Sequence, residues 1–453
     1  MAEPRTLDVQ SFLDENPFSA FQWMIFALCF FVVFLDGFDT AAIGYIAPSL
    51  LAEWGFERSA LAPVLSAALF GLATGALLSG PITDRVGRRT MLVCSVTIFG
   101  LACLASSFSG NLSQLVAWRF VTGLGLGSAM PNAVTMMSEF LPTKWRATLT
   151  NTMFCGFPLG AAFGGFLAAW IIPQFGWRSV LVFGGIVPLV LAGLIFGLMP
   201  ESVRYMVATG APADRIRAVL RRISPSATSA TSFVAREANI SKASGGLGIV
   251  FSRTYLVGTI TLWTAYFMGL VVFYAMINWM PVLFKDVGLT TTSASVVTAL
   301  FPLGGVFAVF AGWLMDRLNG NVTVAICFGL TAIALWAIGR SGGNIAALTV
   351  MVVVAGVLLN TAQTSLPSLA AAFYPTRGRA TGIAWMMGLG RFGGIAGSFL
   401  VGELSARKLG FDAIFLALAL AAIIAALALL VKQFASTDAP TVVATSKGGA
   451  LIH

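Results

Sequence analysis

The chain is poor in the side chains on which most water-soluble chemistry depends. Its single histidine is His453, the last of 453 residues. This excludes a Ser-His-Asp triad, a histidine-ligated metal and a histidine proton relay in the body of the chain. A proton carried there must ride on a carboxylate. Charged residues make up 10% of the chain, against roughly 25% in a soluble domain. The cysteines Cys29, Cys94, Cys103, Cys155 and Cys327 lie in apolar runs without a CxxC spacing. They read as small packing residues, not as disulfides or metal ligands. No GxxxxGK[ST] loop occurs, so ATP-driven chemistry is not expected and no cofactor is implied. Residues 1–20 contain Glu3, Asp8, Asp14 and Glu15 and have no basic start, unlike a signal peptide.

What is abundant is apolar. Hydrophobic residues reach 58% and the mean hydropathy is +0.89. Long unbroken runs, rather than alternating ones, exclude a transmembrane barrel and give an all-α polytopic membrane protein. Twelve spans are expected, at about 22–48, 60–81, 90–108, 112–138, 148–171, 177–199, 255–282, 292–315, 323–340, 344–370, 379–403 and 410–432. They divide the chain into a short segment 1–21, a six-helix bundle 22–199, a polar loop 200–253, a second six-helix bundle 254–432 and a tail 433–453. The loop carries a basic helical stretch with Arg215, Arg217, Arg221 and Arg222.

The net charge of +9 is loop charge on one side of a lipid bilayer, not a nucleic-acid surface. Nineteen of the 27 Lys and Arg fall on the side of the termini, six on the other, and Arg119 and Arg391 inside spans. Both termini are therefore expected in the cytoplasm. The chain also repeats itself. Gly80-Pro-Ile-Thr-Asp84-Arg85 recurs as Gly312-Trp-Leu-Met-Asp316-Arg317, and Pro142-Thr-Lys-Trp-Arg146-Ala-Thr148 as Pro375-Thr-Arg-Gly-Arg379-Ala-Thr381. The near-identical spacing of two separate motifs marks a duplicated six-helix unit, with a binding site expected between the halves at mid-depth.

Charge within a span is costly and needs a reason. The first span holds Asp36 and Asp39, the fourth Arg119 and Glu139, and the eleventh Arg391. Helical rise puts Asp39 and Arg119 about 13 and 10 Å below one end of their spans, and Asp36 and Arg391 both about 18 Å below. Asp36 and Asp39 share a helix face. Two close carboxylates in a dry cavity do not both stay ionised, so one carries a proton, and Arg119 is the counter-charge for the other. The plainer alternative is a salt-bridge cluster that only fixes helix packing. Arg391, within Gly388-Leu-Gly390-Arg391-Phe-Gly393-Gly394, suits a carboxylate ligand through its planar fork; the alternative is a pair with Asp36. Phe38, Asn132, Tyr266, Tyr274, Asn278 and Gln363 are candidates for the rest of a pocket, with Arg119 a further substrate contact. Most aromatics in such a chain are packing or interface-belt residues. The charged turn Gly80, Asp84, Arg85, Gly87, Arg88 and Arg89 lies near Glu139 by depth and reads as a gate that breaks when its face opens. Its weaker copy is Asp316-Arg317. The glycines 123, 125, 127, 156, 160, 164 and 165 read as close helix packing.

Gly80-x-x-x-Asp84-Arg85-x-Gly87-Arg88-Arg89 resembles the signature loop of the major facilitator superfamily. Asp36-Gly-Phe-Asp39-Thr-Ala, Arg119-Phe-Val-Thr-Gly-Leu-Gly-Leu-Gly, Ser138-Glu139, Pro200-Glu-Ser, Phe373-Tyr-Pro-Thr-Arg-Gly-Arg-Ala-Thr-Gly and Gly390-Arg391-Phe-Gly are similar to its aromatic acid/proton symporters. The resemblance covers about Leu7 to Lys432. It implies a permease of the bacterial inner membrane that imports an aromatic acid anion, such as 4-hydroxybenzoate, protocatechuate or benzoate, together with protons. It also implies that Asp36, Asp39, Arg119, Glu139, Gly80, Asp84 and Arg85 are needed for transport. A monomer is the expected form. Two rival readings are a permease for another organic anion or small solute, and a membrane chemosensor for aromatic acids. A membrane-embedded enzyme lacks any nucleophile–base pair or metal cluster to support it.

Overall fold

A computed structural model describes residues 6–230, 232–234, 246–307, 319–341, 344–374 and 376–436. Local sequence sets each helix start. Ser19 caps α2 (Ala20–Trp54) through a capping box. Its hydroxyl accepts from the Gln22 N–H at 3.3 Å, and the Gln22 side chain accepts from the Ser19 N–H at 2.9 Å. The Gln22 amide also donates to the Phe140 carbonyl at 2.7 Å, which ties the start of α2 to the end of α5 (Leu112–Phe140). Gly55 ends α2 in the left-handed conformation, φ 69°. The 35 residues of α2 rise about 52 Å, more than the roughly 30 Å of a hydrocarbon core.

The first half continues with α3 (Leu61–Val86), α4 (Arg88–Ser107), α5 (Leu112–Phe140), α6 (Thr143–Phe154), α7 (Gly156–Phe175) and α8 (Arg178–Leu198). The second half holds α12 (Arg253–Asp286), α13 (Thr291–Leu303), α14 (Gly320–Arg340), α15 (Ile345–Phe373), α16 (Thr376–Ala406) and α17 (Phe411–Ser436). The helices of each half pack mainly on one another, and the halves meet along α2–α12, α3–α16 and α7–α13. This is the expected set of twelve spans in two six-helix bundles, and the outer surface is apolar. Phe31, Leu101, Trp170, Phe196, Ile333 and Leu420 are exposed there, as a bilayer-covered surface requires.

Two spans differ from expectation. The fifth is broken at Cys155, between α6 and α7. Pro158 has no N–H for the Phe154 carbonyl, and its ring crowds that group. The eighth leaves α-geometry after Leu303 and runs as a 3-10 turn over Gly304–Phe307, following Pro302. The two breaks face each other, with Gly305 packed on Pro158. Among the described residues nine helices are long and apolar enough to cross a membrane. The helices α5 and α16 fall outside that set because their glycines, polar residues and arginines lower their hydropathy. The glycine runs do bring helices together. A Cβ at Gly123 would meet the Ala68 carbonyl, and one at Gly160 the Phe34 carbonyl.

The ends of the first half are tied down by structure of which the sequence shows only the basic helical stretch, found here as α10 (Ala213–Leu220) with Arg215 and Arg217. β1 (Thr6–Asp8) pairs in parallel with β2 (Ser232–Val234), with Leu7 opposite Phe233. Between these strands in sequence come α1 (Val9–Glu15), α9 (Val203–Ala208) and α10 (Ala213–Leu220), and α11 (Gly246–Val250) follows β2. On α1, Asp14 caps α6, accepting from the Thr143 N–H at 2.6 Å and its hydroxyl at 3.0 Å. Burial opposes its charge, but these bonds, the Gln10 amide and Arg146 outweigh that and hold the carboxyl below its ordinary 3.8. A depressed carboxyl stabilises docking above its unfolded value, and the stabilisation is lost as pH falls through the folded one. Protection factors over residues 6–15, the exchange rates taken relative to the free peptide at the same pH, are therefore expected to stay high from pH 7 down to about 4 and to fall below it. Protection factors unchanged down to pH 2 would remove Asp14 as the anchor.

Candidate functional site

Two opposite faces frame the site. The linker face carries the start of α2 and the α8–α12 connection; the far face carries the α2–α3 turn. Between them, Asp39 on α2 and Arg119 on α5 form a two-pronged ion pair. Nη1 donates to Oδ1 at 2.7 Å and Nη2 to Oδ2 at 2.8 Å, and both side chains are fully buried. Nη2 also reaches the Asp39 carbonyl at 3.3 Å. The equal depths read from helical rise are thus realised as contact. The Cys103 thiol adds a third donor, 3.5 Å from Asp39 Oδ1. In the sequence Cys103 has the context of a packing residue, and no spacing signal links it to Asp39.

Asp36 is buried one turn toward the linker face, and its Oδ1 has no hydrogen-bond partner among the described residues. Arg391 on α16 lies within electrostatic reach of Asp36, Tyr266 and Tyr274. Among the described residues it forms no ion pair. Its Nη1 instead donates across the interface to the Leu72 carbonyl on α3 at 3.4 Å. The alternative pair with Asp36 is not formed here. The glycines beside Arg391 make room for rings: Gly390 seats Tyr266 and Gly394 seats Tyr274 on α12.

The other expected pocket residues divide. Asn278 is buried and donates to Ser398 Oγ at 3.2 Å, with its Oδ1 unpartnered. Gln363 donates to the Tyr266 carbonyl at 3.2 Å, with its Oε1 unpartnered. Both stand near the Tyr266–Tyr274 wall. Asn132 is turned back onto its own helix, donating to the Ser128 carbonyl at 2.7 Å. Phe38 is a correction: its ring packs against Phe163 and Phe183 inside the first bundle, at 6.3 and 5.5 Å, and does not face the other half. It points into the bundle because Gly164 and Gly184 leave space for it there.

Glu139 is not part of the central cluster. It lies 20 residues beyond Arg119 on α5, about 30 Å along the helix. There it joins the charged turn, 3.7 Å from Arg88 Nε and hydrogen-bonded by the Ser202 hydroxyl. Gly87 makes the α3–α4 turn with φ 94°, where other residues are strained. Glu201 caps α4, accepting from the Arg88 and Arg89 N–H groups at 3.0 and 3.2 Å. Tyr205 lies under Arg88 and donates to the Arg85 carbonyl at 2.9 Å. Arg89 reaches the Phe196 carbonyl. Glu201, Ser202 and Tyr205 were missed as cluster members, although Pro200-Glu-Ser was visible as a motif. Gly80 and Asp84 lie on the α3 backbone. Asp316 and Arg317 lie outside the described residues.

On the far face Arg58 and Asp286 make a two-pronged ion pair across the halves. They are 228 residues apart, close to the repeat spacing, so near-equivalent positions meet across the pseudo-twofold axis. Beneath them Gly402 packs on Ala62, and Gly44 on Asn278. The far face is closed. Half-exposed pairs of this kind add little stability, so Arg58→Ala is expected to leave folding unchanged. Tethering is different. With cysteines at both positions, a short reducible thiol cross-linker is expected to stop flux, and dithiothreitol to restore it. Full flux in the cross-linked protein would mean that the halves do not part here.

A buried ion pair and a second, half-buried arginine lie at the junction of two duplicated membrane bundles, closed on one face. This arrangement defines a multi-pass membrane transporter with a central site. The model of the Major Facilitator Superfamily matches residues 29–339 and 282–449, and the chain belongs to that family. It is similar to the 4-hydroxybenzoate transporter PcaK of Pseudomonas aeruginosa, with 47% identity over 95% of this chain and 96% of that one. It is also similar to a gallate transporter of Pseudomonas putida, with 43% identity over 95% of this chain and 96% of that one. Among solved structures, the xylose transporter XylE from E. coli, in a partially occluded inward open conformation, matches with TM-score 0.70. The identity there is 18%, over 96% of this chain and 100% of that chain, and this likeness concerns the fold alone. Among the described residues no group of three or more His, Cys, Asp or Glu converges to hold a metal.

Proposed function

We propose that the chain imports a ring-hydroxylated aromatic carboxylate, of the 4-hydroxybenzoate or gallate kind, with protons across the bacterial inner membrane. It acts as a monomer with both termini in the cytoplasm, and the bundles 22–199 and 254–432 rock about the central site. The observation that carries this reading is the Asp39–Arg119 pair beside an Arg391 that has no carboxylate partner among the described residues. The names of the similar proteins supply the substrate class.

In the cycle, the far face opens toward the outside and a proton reaches Asp39. A neutral Asp39 releases its hold on Arg119, and the aromatic carboxylate takes the freed guanidinium or Arg391. Tyr266 and Tyr274 offer faces to the ring. The filled site is then close to neutral, which lowers the cost of moving it through the closed form. The higher cytoplasmic pH withdraws the proton, Asp39 reclaims Arg119, and the anion leaves. The turn at Gly87–Arg89 with Glu139 and Glu201 holds the linker-face ends of α3, α4, α5 and α8 together as the bundle moves. Asp84 and Arg85 act in the same gate, as do Asp316 and Arg317 in the second half.

The test is uptake of labelled 4-hydroxybenzoate into proteoliposomes under an imposed pH gradient. Uphill accumulation that a protonophore abolishes is the expected result. One proton per monoanion is electroneutral, so accumulation rises up to tenfold per pH unit, about 1.4 kcal/mol, and is indifferent to membrane potential. Competition by protocatechuate and gallate but not by a sugar is expected. Absence of gradient-driven accumulation for every hydroxylated benzoate would refute the reading.

A further inference from the structure

The transport cycle above leaves Cys103 unused, although its thiol touches Asp39. Cys103 is buried on α4. Its Sγ lies 3.5 Å from Asp39 Oδ1 on α2 and equally 3.5 Å from the Leu181 carbonyl on α8. A thiol carries one proton, so it donates to one of these acceptors at a time. Arg119 takes two of the roughly four lone-pair positions of the Asp39 carboxylate, and the thiol takes a third. Gly184 makes room for this contact. A Cβ there would stand 3.1 Å from Cys103 Sγ and 3.0 Å from the Phe38 ring. The other polar or charged groups around Asp39 come from several helices. They are Asp36 one turn away on α2, Arg119 on α5, Tyr274 on α12, and Arg391 on α16 within reach of Asp36. Toward α3 the neighbours are the apolar Leu65 and Leu69.

We propose that Cys103 is a positioning residue for proton coupling: its thiol donates to Asp39 while that carboxylate is charged, and turns to the Leu181 carbonyl when Asp39 takes up its proton. The inference rests on the proton-symport reading above. A charged carboxylate is a stronger acceptor than a peptide carbonyl already engaged within its own helix. The thiol proton therefore points at Asp39 in the paired state shown here. Once Asp39 is neutral, that advantage is gone and the carbonyl takes the bond. Rotation about Cβ–Sγ moves only the hydrogen, so the exchange needs no repacking of α2, α4 or α8. No bond to sulfur breaks. The thiol keeps its own proton, and the proton gained by Asp39 comes from the outside solution. While it points at Asp39, the thiol favours the charged form of the carboxylate. The contact thus helps the proton leave on the cytoplasmic side, and helps Asp39 reclaim Arg119.

The experiment measures initial uptake of labelled 4-hydroxybenzoate into proteoliposomes against external pH, for wild type, Cys103→Ala and Cys103→Ser. In Cys103→Ala the charged carboxylate has lost a donor. Its pH of half-maximal uptake is expected to rise by about half a pH unit, the size of one weak hydrogen bond. Cys103→Ser keeps an O–H donor and is expected to restore the wild-type midpoint. A Cys103→Ala protein with the wild-type midpoint overturns the proposal and leaves symport intact. Slower uptake at every pH with an unmoved midpoint makes Cys103 a packing residue and also overturns it. A wild type without gradient-driven accumulation overturns both this inference and the symport reading. A second measurement needs no transport. The S–H stretching band of Cys103 is isolated as the difference between infrared spectra of wild type and Cys103→Ala. It is expected to move to higher frequency as the pH falls through the uptake midpoint, because the bond to a carboxylate gives way to a weaker one. A band that stays fixed across that range overturns the proposal.

Discussion

Arg119→Leu is expected to destabilise the protein by about 3–5 kcal/mol, because it leaves the Asp39 carboxylate buried and unpaired. Folded yield and the thermal midpoint in detergent should fall together. Asp39→Asn strands a guanidinium in the same place and should destabilise as well, while abolishing accumulation. The double variant Asp39→Asn/Arg119→Leu removes both charges. It should recover most of the lost stability, since neutral groups of similar volume tolerate burial, yet recover no accumulation at all. The contrast separates the two tasks of the pair. If the double variant is no more stable than either single one, the pair is not the coupled unit that its 2.7 and 2.8 Å bonds indicate. If the double variant still accumulates substrate against a gradient, the proton does not pass through Asp39.

Arg391→Lys tests the other arginine. Lysine keeps the charge but loses the planar fork, and a compact ammonium cannot make two parallel bonds to one carboxylate. The half-saturation concentration for an aromatic acid is expected to rise at least tenfold, about 1.4 kcal/mol, with insertion and thermal midpoint unchanged. Phe392→Leu is the control, since Phe392 is 49% exposed on the outer surface and should alter nothing. Unchanged affinity in Arg391→Lys would take Arg391 out of the substrate site and leave Arg119 as the sole cation for it.

Much of this is legible in the sequence. Span positions follow from apolar runs, because no irregular backbone survives in hydrocarbon unless protein buries it. The depth match of Asp39 with Arg119 follows from a fixed rise per residue, and buried opposite charges at one level pair. The breaks at Cys155 and after Leu303 were less legible. Each contains a proline, but so do α2, α5, α8 and α15, which continue through theirs. Whether a proline stops a helix depends on what its neighbours pack against. Phe38 went astray for a similar reason: its place between Asp36 and Asp39 gave no sign that Gly164 and Gly184 would draw its ring away from the interface.

The sequence by itself determined the spans, the duplication and the few charges that hydrocarbon tolerates, because each is a property of one helix or of a repeat along the chain. Only the tertiary structure decided which groups meet. Cys103 touches Asp39, Glu201 caps α4 from 112 residues away, and Arg58 closes on Asp286 across the axis. These contacts depend on how helices are rotated and tilted against one another. That rotation is set by the summed packing of glycine-lined interfaces, which no single stretch of chain encodes.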